Sequence, residues 1–330
     1  MRKILTVFLL VFISIIFFKA ALYAKDDEDY IKWMDFDVPV NILKLAYEYD
    51  VNSQNEEYPL DFVQLLAYTA AANWGSFEDN DGSLASMHNV VERIRSGELL
   101  SDITADMKLY EHYLVAYGAV LGGFVGPYEV KILNEADPDG FTWEKRYGLK
   151  VFSPIAGGYS FTHSNDFGNP RSYGYKRRHL GHDLFGTVGT PIIAVEDGIV
   201  ERLGWNQYGG WRIGIRSMDK KRYYYYAHLR KGRPYAAGLG IGSVIQSGDV
   251  IGYLGATGYS LKEDVSNIKT PHLHFGIQII FDESQVDGTN QIWIDAYGIM
   301  RFLNQNRMKV VKNDDGEYVR TVDIVNIPFE

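Results

Sequence analysis

The chain has 330 residues, room for two domains of ordinary size, and its 46% hydrophobic content is that of a globular rather than a disordered protein. A net charge of -9 argues against a general nucleic-acid binder, which needs a basic surface. The lack of cysteine excludes a thiol nucleophile, a Cys-ligated zinc and a disulfide framework.

The N-terminus opens with the basic head Met1-Arg2-Lys3 and an apolar run from Ile4 to Phe18. After Lys19, the small-residue stretch Ala20-Ala21-Leu22-Tyr23-Ala24 leads into the acidic Lys25-Asp26-Asp27-Glu28-Asp29. This pattern reads as a secretory signal over residues 1–24. The run is short for a membrane span, which needs about 20 apolar residues. Leu22, three places back from a cut after Ala24, is not ideal, so an uncleaved anchor is the alternative. Either way the rest of the chain is expected outside the cytoplasm, with membrane contact only through this segment if it is not cut.

Residues 25–149 are read as a helical N-terminal domain, with helical texture from 30 to about 130. Apolar residues recur at helical spacing from Val40 to Tyr47. Pro59 opens a second segment from Leu60 to Tyr68, since Pro suits a first helical turn. Ser83 is the expected cap of a third, which runs through Val90, Val91 and Ile94. A fourth starts near Asp102 and carries Leu109, Tyr113, Leu114, Tyr117 and Leu121, until Gly122-Gly123 and Gly126-Pro127 stop it. His88 and His112 stand alone here, as ordinary surface or core histidines.

From about Lys150 the texture becomes one of short β-branched and Tyr-rich runs between Gly-rich turns. The expected strands are Thr190 to Val195, Ile199 to Leu203, Trp211 to Arg216, Tyr223 to Leu229, Val250 to Leu254 and Leu273 to Ile279. Asp197-Gly198 is read as a hairpin turn, and Asn206 to Gly210 as another. Closely spaced strands of this kind imply an antiparallel β domain, residues 150–283. A C-terminal extension, 284–330, adds a helix near Ala296 to Asn304 and a last strand. The 24 tyrosines fit half-exposed strands and a wet cleft.

Six of the eight histidines fall between His163 and His274. On a strand His272 and His274 project to one face, where one imidazole can ligate a metal while the other handles protons. His179 and Asp183 add N and O donors that suit Zn²⁺. With one of the two strand histidines they make three protein ligands, which leaves the fourth tetrahedral position open, as a catalytic site requires. Gly181 between them lets the backbone turn so that both reach one point. A surface ion pair of His179 and Asp183 would explain one motif but not three.

At these residues the chain resembles the lysostaphin/LytM family of zinc endopeptidases, which cut peptide bonds in bacterial peptidoglycan. The family pattern is His-x-x-x-Asp, a His in a Tyr-x-His-Leu-like strand, and a late His-x-His. It stands here in order as His179 with Asp183, His228 in Tyr226-Ala227-His228-Leu229, and His272 with His274. The linking text Gly189-Thr190-Pro191, Asp197-Gly198-Ile199-Val200, Ser247-Gly248-Asp249 and Gly255-Ala256-Thr257-Gly258 matches as well. The resemblance covers residues 151 to 283 and implies a LytM-like domain of the duplicated hybrid motif fold. The whole is then an α+β multidomain chain, all-helical first and mainly antiparallel β after.

Carried over by position, the resemblance implies one catalytic Zn²⁺ held by His179, Asp183 and His274. His272 would be the general base beside the metal-bound water, and His228 would steady the transition state. Tyr173 would be the assisting Tyr of some relatives. His182 stands where an apolar residue is usual and is read as a packing or supporting histidine; His163 receives no role. Loops around Trp205 to Trp211 and Leu261 to Thr270 would wall the groove, with Trp205, Trp211 and Tyr259 as substrate contacts or rim packing. Arg171, Lys176, Arg177 and Arg178 form a solvated charged face or attract peptide carboxylates.

The implied function is an exported endopeptidase acting on peptidoglycan peptides at the cell wall. Its rival is a catalytically silent scaffold or activator of other wall enzymes, since fold alone does not separate the two. The helical domain is read as a regulatory cover over the groove or as a positioning segment.

Overall fold

The structure, a computed structural model, describes residues 32–34, 36–286 and 290–327. The expected signal or anchor at 1–24 lies outside the described residues. Helices come first, at Val40–Ser53, Phe62–Ala72, Asn80–Arg95, Leu100–Thr104 and Tyr110–Leu121. The second begins two residues later than Pro59-Leu60 suggested, because the Asp61 side chain accepts from Gln64 N and caps it. The third is capped by Asp79, not Ser83; Ser83 is buried inside it and donates to the Asp79 carbonyl. The expected fourth helix is two, separated near Met107.

Helical texture ends earlier than expected. Val125–Leu133 and Phe141–Leu149 pair as an antiparallel hairpin. Gly126-Pro127 therefore lies within a strand. The third strand of this small sheet, Ile324–Asn326, comes from the C-terminal extension. That extension also supplies the helix Tyr297–Leu303 and the hairpin Val310–Lys312 with Tyr318–Arg320.

The main sheet has nine strands among the described residues. Its central order runs Ile292–Ile294, His272–Ile279, Arg222–Ala227, Gly210–Ser217, Gly198–Asn206. His182–Gly186 pairs with the N-terminal half of His272–Ile279. These pairings are antiparallel. Asn206 to Gly210 is the expected hairpin turn. Asp197-Gly198 is not: Pro191–Ile193 pairs instead with Val250–Tyr253, and the Asp197 carboxylate accepts from Ser247 N.

Strand alternation divides the sheet into two faces. Tyr224 and Tyr226 are fully buried among Phe275, Ile277 and the helices, whereas Tyr223 and Tyr225 face the opposite side with His274 and Gln278. The helices close the first face. One continuous core joins them to the sheet, with Phe302 stacked on Phe62 at 5.9 Å and edge-on to Tyr47 at 5.8 Å. The second face is left for the groove.

A buried ionic cluster ties the layers. Arg222, 0% exposed, donates from Nε and Nη2 to the Glu196 carboxylate at 2.8 and 2.9 Å. Its Nη1 donates to the Ala119 carbonyl in the last turn of Tyr110–Leu121 at 2.8 Å. Gly123 does more than end that helix, since a Cβ there would run into the Glu196 carboxylate and the Arg222 guanidinium.

Candidate metal centre and groove

Three side chains from two neighbouring segments converge on one point. Asp183 lies on His182–Gly186, and its strand partner in register is His274. His179 lies four residues before Asp183, in the turn that enters the strand. The atoms His179 Nε2, Asp183 Oδ1 and His274 Nδ1 form a triangle with sides of 2.9 to 3.0 Å. All three residues belong to one potential metal-holding group.

The donor set fits zinc. A tetrahedron with arms of ~2.0–2.1 Å has edges of roughly 3.3 Å, close to the sides of this triangle. Two imidazole nitrogens and a carboxylate oxygen facing one another at this distance suit a cation between them. Burial would lower the His179 pKa, but the Asp166 and Asp183 carboxylates outweigh it and raise it to about 9. Burial would raise the Asp183 carboxyl, yet its contacts with His179 and His274 hold it well below the usual range. At such a site a metal ion and protons compete for the same ligand atoms.

Gly181 serves this centre differently from the expectation. It is not among the glycines of positive φ. A Cβ there would lie 2.5 Å from His274 Cε1 and 2.6 Å from Nε2, so the glycine makes room for the ligand ring.

His272 and His228 stand beside the triangle. His272 Nε2 is 3.6 Å from Asp183 Oδ1, and its Nδ1 donates to the Thr270 carbonyl at 2.8 Å. That bond fixes the tautomer, leaving a lone pair on Nε2 in the neutral ring. The His228 ring is 4.8 Å from that of His272, and its Nδ1 donates to the Thr257 carbonyl at 2.9 Å. Burial, then the neighbouring His272 and His274, push its pKa well below the usual value. Its backbone has φ 61°, a conformation costly for a side-chain-bearing residue and held here by His228 N donating to the Gly209 carbonyl at 2.7 Å.

The other expected residues are placed as follows. Tyr173 is 37% exposed and stacks on Tyr259 at 4.5 Å. It touches the site through that ring, whereas Tyr259 itself lines the groove, 6.0 Å from the His228 ring. Trp211 Nε1 donates to Asp264 and Trp205 Nε1 to the Ser260 carbonyl, so both clamp the 259–264 loop to the neighbouring hairpin. His182 points away from the triangle, fully buried, with Nε2 2.7 Å from His163 Nδ1. Burial, then the charge of His163, lower it to about 4.

Asp166 carries no motif and is visible only in the fold, and Arg171, read from the sequence as part of a charged face, takes a supporting place beside it. The Asp166 carboxylate lies 3.1 Å from His179 Nδ1, whose hydrogen also points at the Asp166 carbonyl, 3.0 Å away. Arg171 Nη2 bridges Asp166 at 2.7 Å and Asp183 Oδ2 at 3.2 Å. Asp166 thus fixes which His179 nitrogen faces the centre. Asp166→Asn is expected to weaken zinc binding by about 10–100-fold, the usual effect of losing a carboxylate behind a ligating His. Competition with a chromogenic chelator measures this, and unchanged affinity would refute the role.

The centre opens into a groove of about 640 Å³. Its described lining begins at Arg171 and includes no residue of the helical region. A cover over the groove, one of the two roles anticipated for the helices, is not what the fold shows; they pack on the opposite face of the sheet.

Residues 177–288 match the family described as peptidase family M23. The L-Ala--D-Glu endopeptidase of Bacillus subtilis (strain 168) is 39% identical over 124 residues, 38% of this chain and 36% of that protein. Glycyl-glycine endopeptidase ALE-1 of Staphylococcus capitis is 38% identical over 98 residues, 29% of this chain and 24% of that protein. Lysostaphin of Staphylococcus simulans is 36% identical over 98 residues, 29% of this chain and 17% of that protein. The chain thus matches little more than a third of the length of these relatives, or less. The match nevertheless contains the whole His179, Asp183, His228, His272 and His274 constellation, and residues 177–288 are a peptidase M23 domain homologous to the LytM/lysostaphin-type peptidoglycan endopeptidases.

Proposed function

We propose that this chain is an exported, zinc-dependent endopeptidase that hydrolyses peptide bonds of peptidoglycan, in cross-links or stem peptides. The observation that carries the reading is the convergence of His179 Nε2, Asp183 Oδ1 and His274 Nδ1 at the head of an open groove, with two further histidines beside them. His179, Asp183 and His274 would hold the ion. Zinc, when bound, supplies a Lewis acid that polarises a carbonyl and acidifies water.

The chain's own residues do the rest. His272 Nε2 takes the proton of the attacking water and passes it to the leaving amine, a role its fixed tautomer suits. His228, with its Nδ1 hydrogen on the Thr257 carbonyl, presents Nε2 as an acceptor and steadies the transition state by accepting from the hydroxyl that the attacking water leaves on the reacting carbon. Asp166 and Arg171 orient the ligands. Tyr259, with Tyr173 stacked behind it, borders the site on the groove side. A scaffold without activity would gain nothing from the backbone cost at His228.

Export rests on the N-terminal pattern of residues 1–24, and the substrate class on the relatives' own activities. The test is digestion of purified sacculi from several wall types by the zinc-loaded protein, followed by mass spectrometry of the fragments. New peptide termini that vanish on chelation and return with zinc are the expected result. Intact sacculi of every type would sink the reading.

A further inference from the structure

The groove is cationic on a chain of net charge -9. Among the described residues its lining holds six cations, Arg171, Arg177, Arg178, Arg202, Arg212 and Lys269, against one carboxylate, the metal-site Asp183. Several of these cations already have work. Arg171 bridges Asp166 and Asp183. Arg177 donates to the Tyr173 carbonyl and lies over the Tyr208 ring at 4.9 Å, and Arg178 donates to the Gly168 carbonyl.

Arg212 differs. It contacts the Tyr225 hydroxyl, but its Nε is buried without a hydrogen-bond partner. A buried N–H lacking an acceptor is costly, so this guanidinium has unused hydrogen-bonding capacity on the side that packs into the protein, and its Nη groups are the ones left to meet a ligand. Its strand position is also fixed. Arg212 pairs with Gly204, and Arg202 on that same neighbouring strand pairs with Gly214, so both arginines stand on the groove face of the sheet. That face continues through Tyr225 to His274, two strands away from Arg212. At the usual strand spacing this is about 10 Å, two to three residues of an extended peptide. Gly276, two residues beyond His274 on the same strand and opposite Tyr225, makes room for the Trp293 ring that borders this face; a Cβ there would meet that ring at 2.6 Å.

We propose that Arg202 and Arg212 form a carboxylate-binding subsite, and that the preferred substrate is an acidic stem peptide bearing a free carboxylate within about two residues of the scissile bond. The guanidinium fork matches a carboxylate in a bidentate manner and stays charged at any working pH. An uncharged glycine bridge has nothing to offer this pair. The subsite rests on the peptidase reading above and narrows it.

The test compares two peptides with the zinc-loaded full chain: N-acetyl-L-Ala-γ-D-Glu-L-Lys-D-Ala with its D-Glu α-carboxylate free, and the same peptide with that carboxylate amidated. The free acid is expected to show a kcat/KM at least ~10-fold higher, the size of one charge-assisted hydrogen bond lost. In Arg212→Gln, and separately in Arg202→Gln, the acid-to-amide ratio is expected to fall to about 1–3. Cleavage of both peptides at equal rates, or an unchanged ratio in both variants, overturns the subsite and leaves the peptidase reading standing. Cleavage of neither peptide counts against that reading instead, and calorimetry with the His272→Ala protein then decides the subsite. Tighter binding of the acid supports it, and equal Kd values for acid and amide overturn it.

Discussion

His272→Ala is expected to lower kcat/KM for peptide cleavage by about 10²–10⁴-fold, the range for removal of a positioned general base, while zinc stoichiometry stays unchanged. The separation of the two effects follows from geometry. The triangle that would hold the metal consists of His179, Asp183 and His274, and its short sides do not involve His272. His272 stands one step outside, its Nε2 3.6 Å from Asp183 Oδ1 and its Nδ1 proton committed to the Thr270 carbonyl. Loss of the imidazole therefore removes a proton acceptor and leaves three ligands in place. Steady-state kinetics beside metal analysis of the dialysed protein checks this. Retention of activity within a few-fold would remove His272 from the reaction, and parallel loss of zinc would make it a ligand.

A second large effect is expected far from the groove. Arg222→Met should destabilise the fold by ~3–5 kcal/mol, the cost of breaking a buried ion pair from one side. The Glu196 carboxylate would lose two donors, keeping the Tyr224 hydroxyl 2.5 Å away, and the Asp219 carboxylate would lose its contact with Arg222 Nη2. The Ala119 carbonyl at the end of the Tyr110–Leu121 helix would lose its partner as well. Urea unfolding followed by far-ultraviolet circular dichroism measures the loss. The double variant Arg222→Met with Glu196→Gln is expected to recover part of it, because no unpaired charge then stays buried. A change below ~1 kcal/mol in the single variant would show that the pair contributes little. The same cluster argues against excising the helices as a detachable domain: a fragment starting near residue 145 would expose Phe302 and the Tyr224 face of the sheet to water.

The fold class was legible in the sequence, and so were the residues that converge at the candidate metal centre. The periodicity around Val90, Val91 and Ile94 marks a helix because an apolar stripe must face a core. The strand from His272 to Ile279 declares itself by its alternation, which also puts His272 and His274 on one face. Local pattern failed where partners are distant. The hairpin from Val125 to Leu149 looked like a continuation of the helices, and its strand character depends on pairing with Ile324–Asn326 from the other end of the chain. Asp197-Gly198 has the composition of a hairpin turn, but Val250–Tyr253 outcompetes the next strand for Pro191–Ile193.

Within the site the division is the same. Residue types and spacing pointed to His179, Asp183 and one of His272 and His274, a donor set that suits a hard-to-borderline cation, and only the family resemblance singled out His274. They could not reveal Asp166 behind His179, the strained backbone of His228, or the ring clearance provided by Gly181. Nor could they separate Arg212, with its unpartnered Nε, from other arginines of the chain. Those properties belong to burial and to contacts between segments far apart in the chain. Hydrogen-bond satisfaction and desolvation exist only once those segments are packed together.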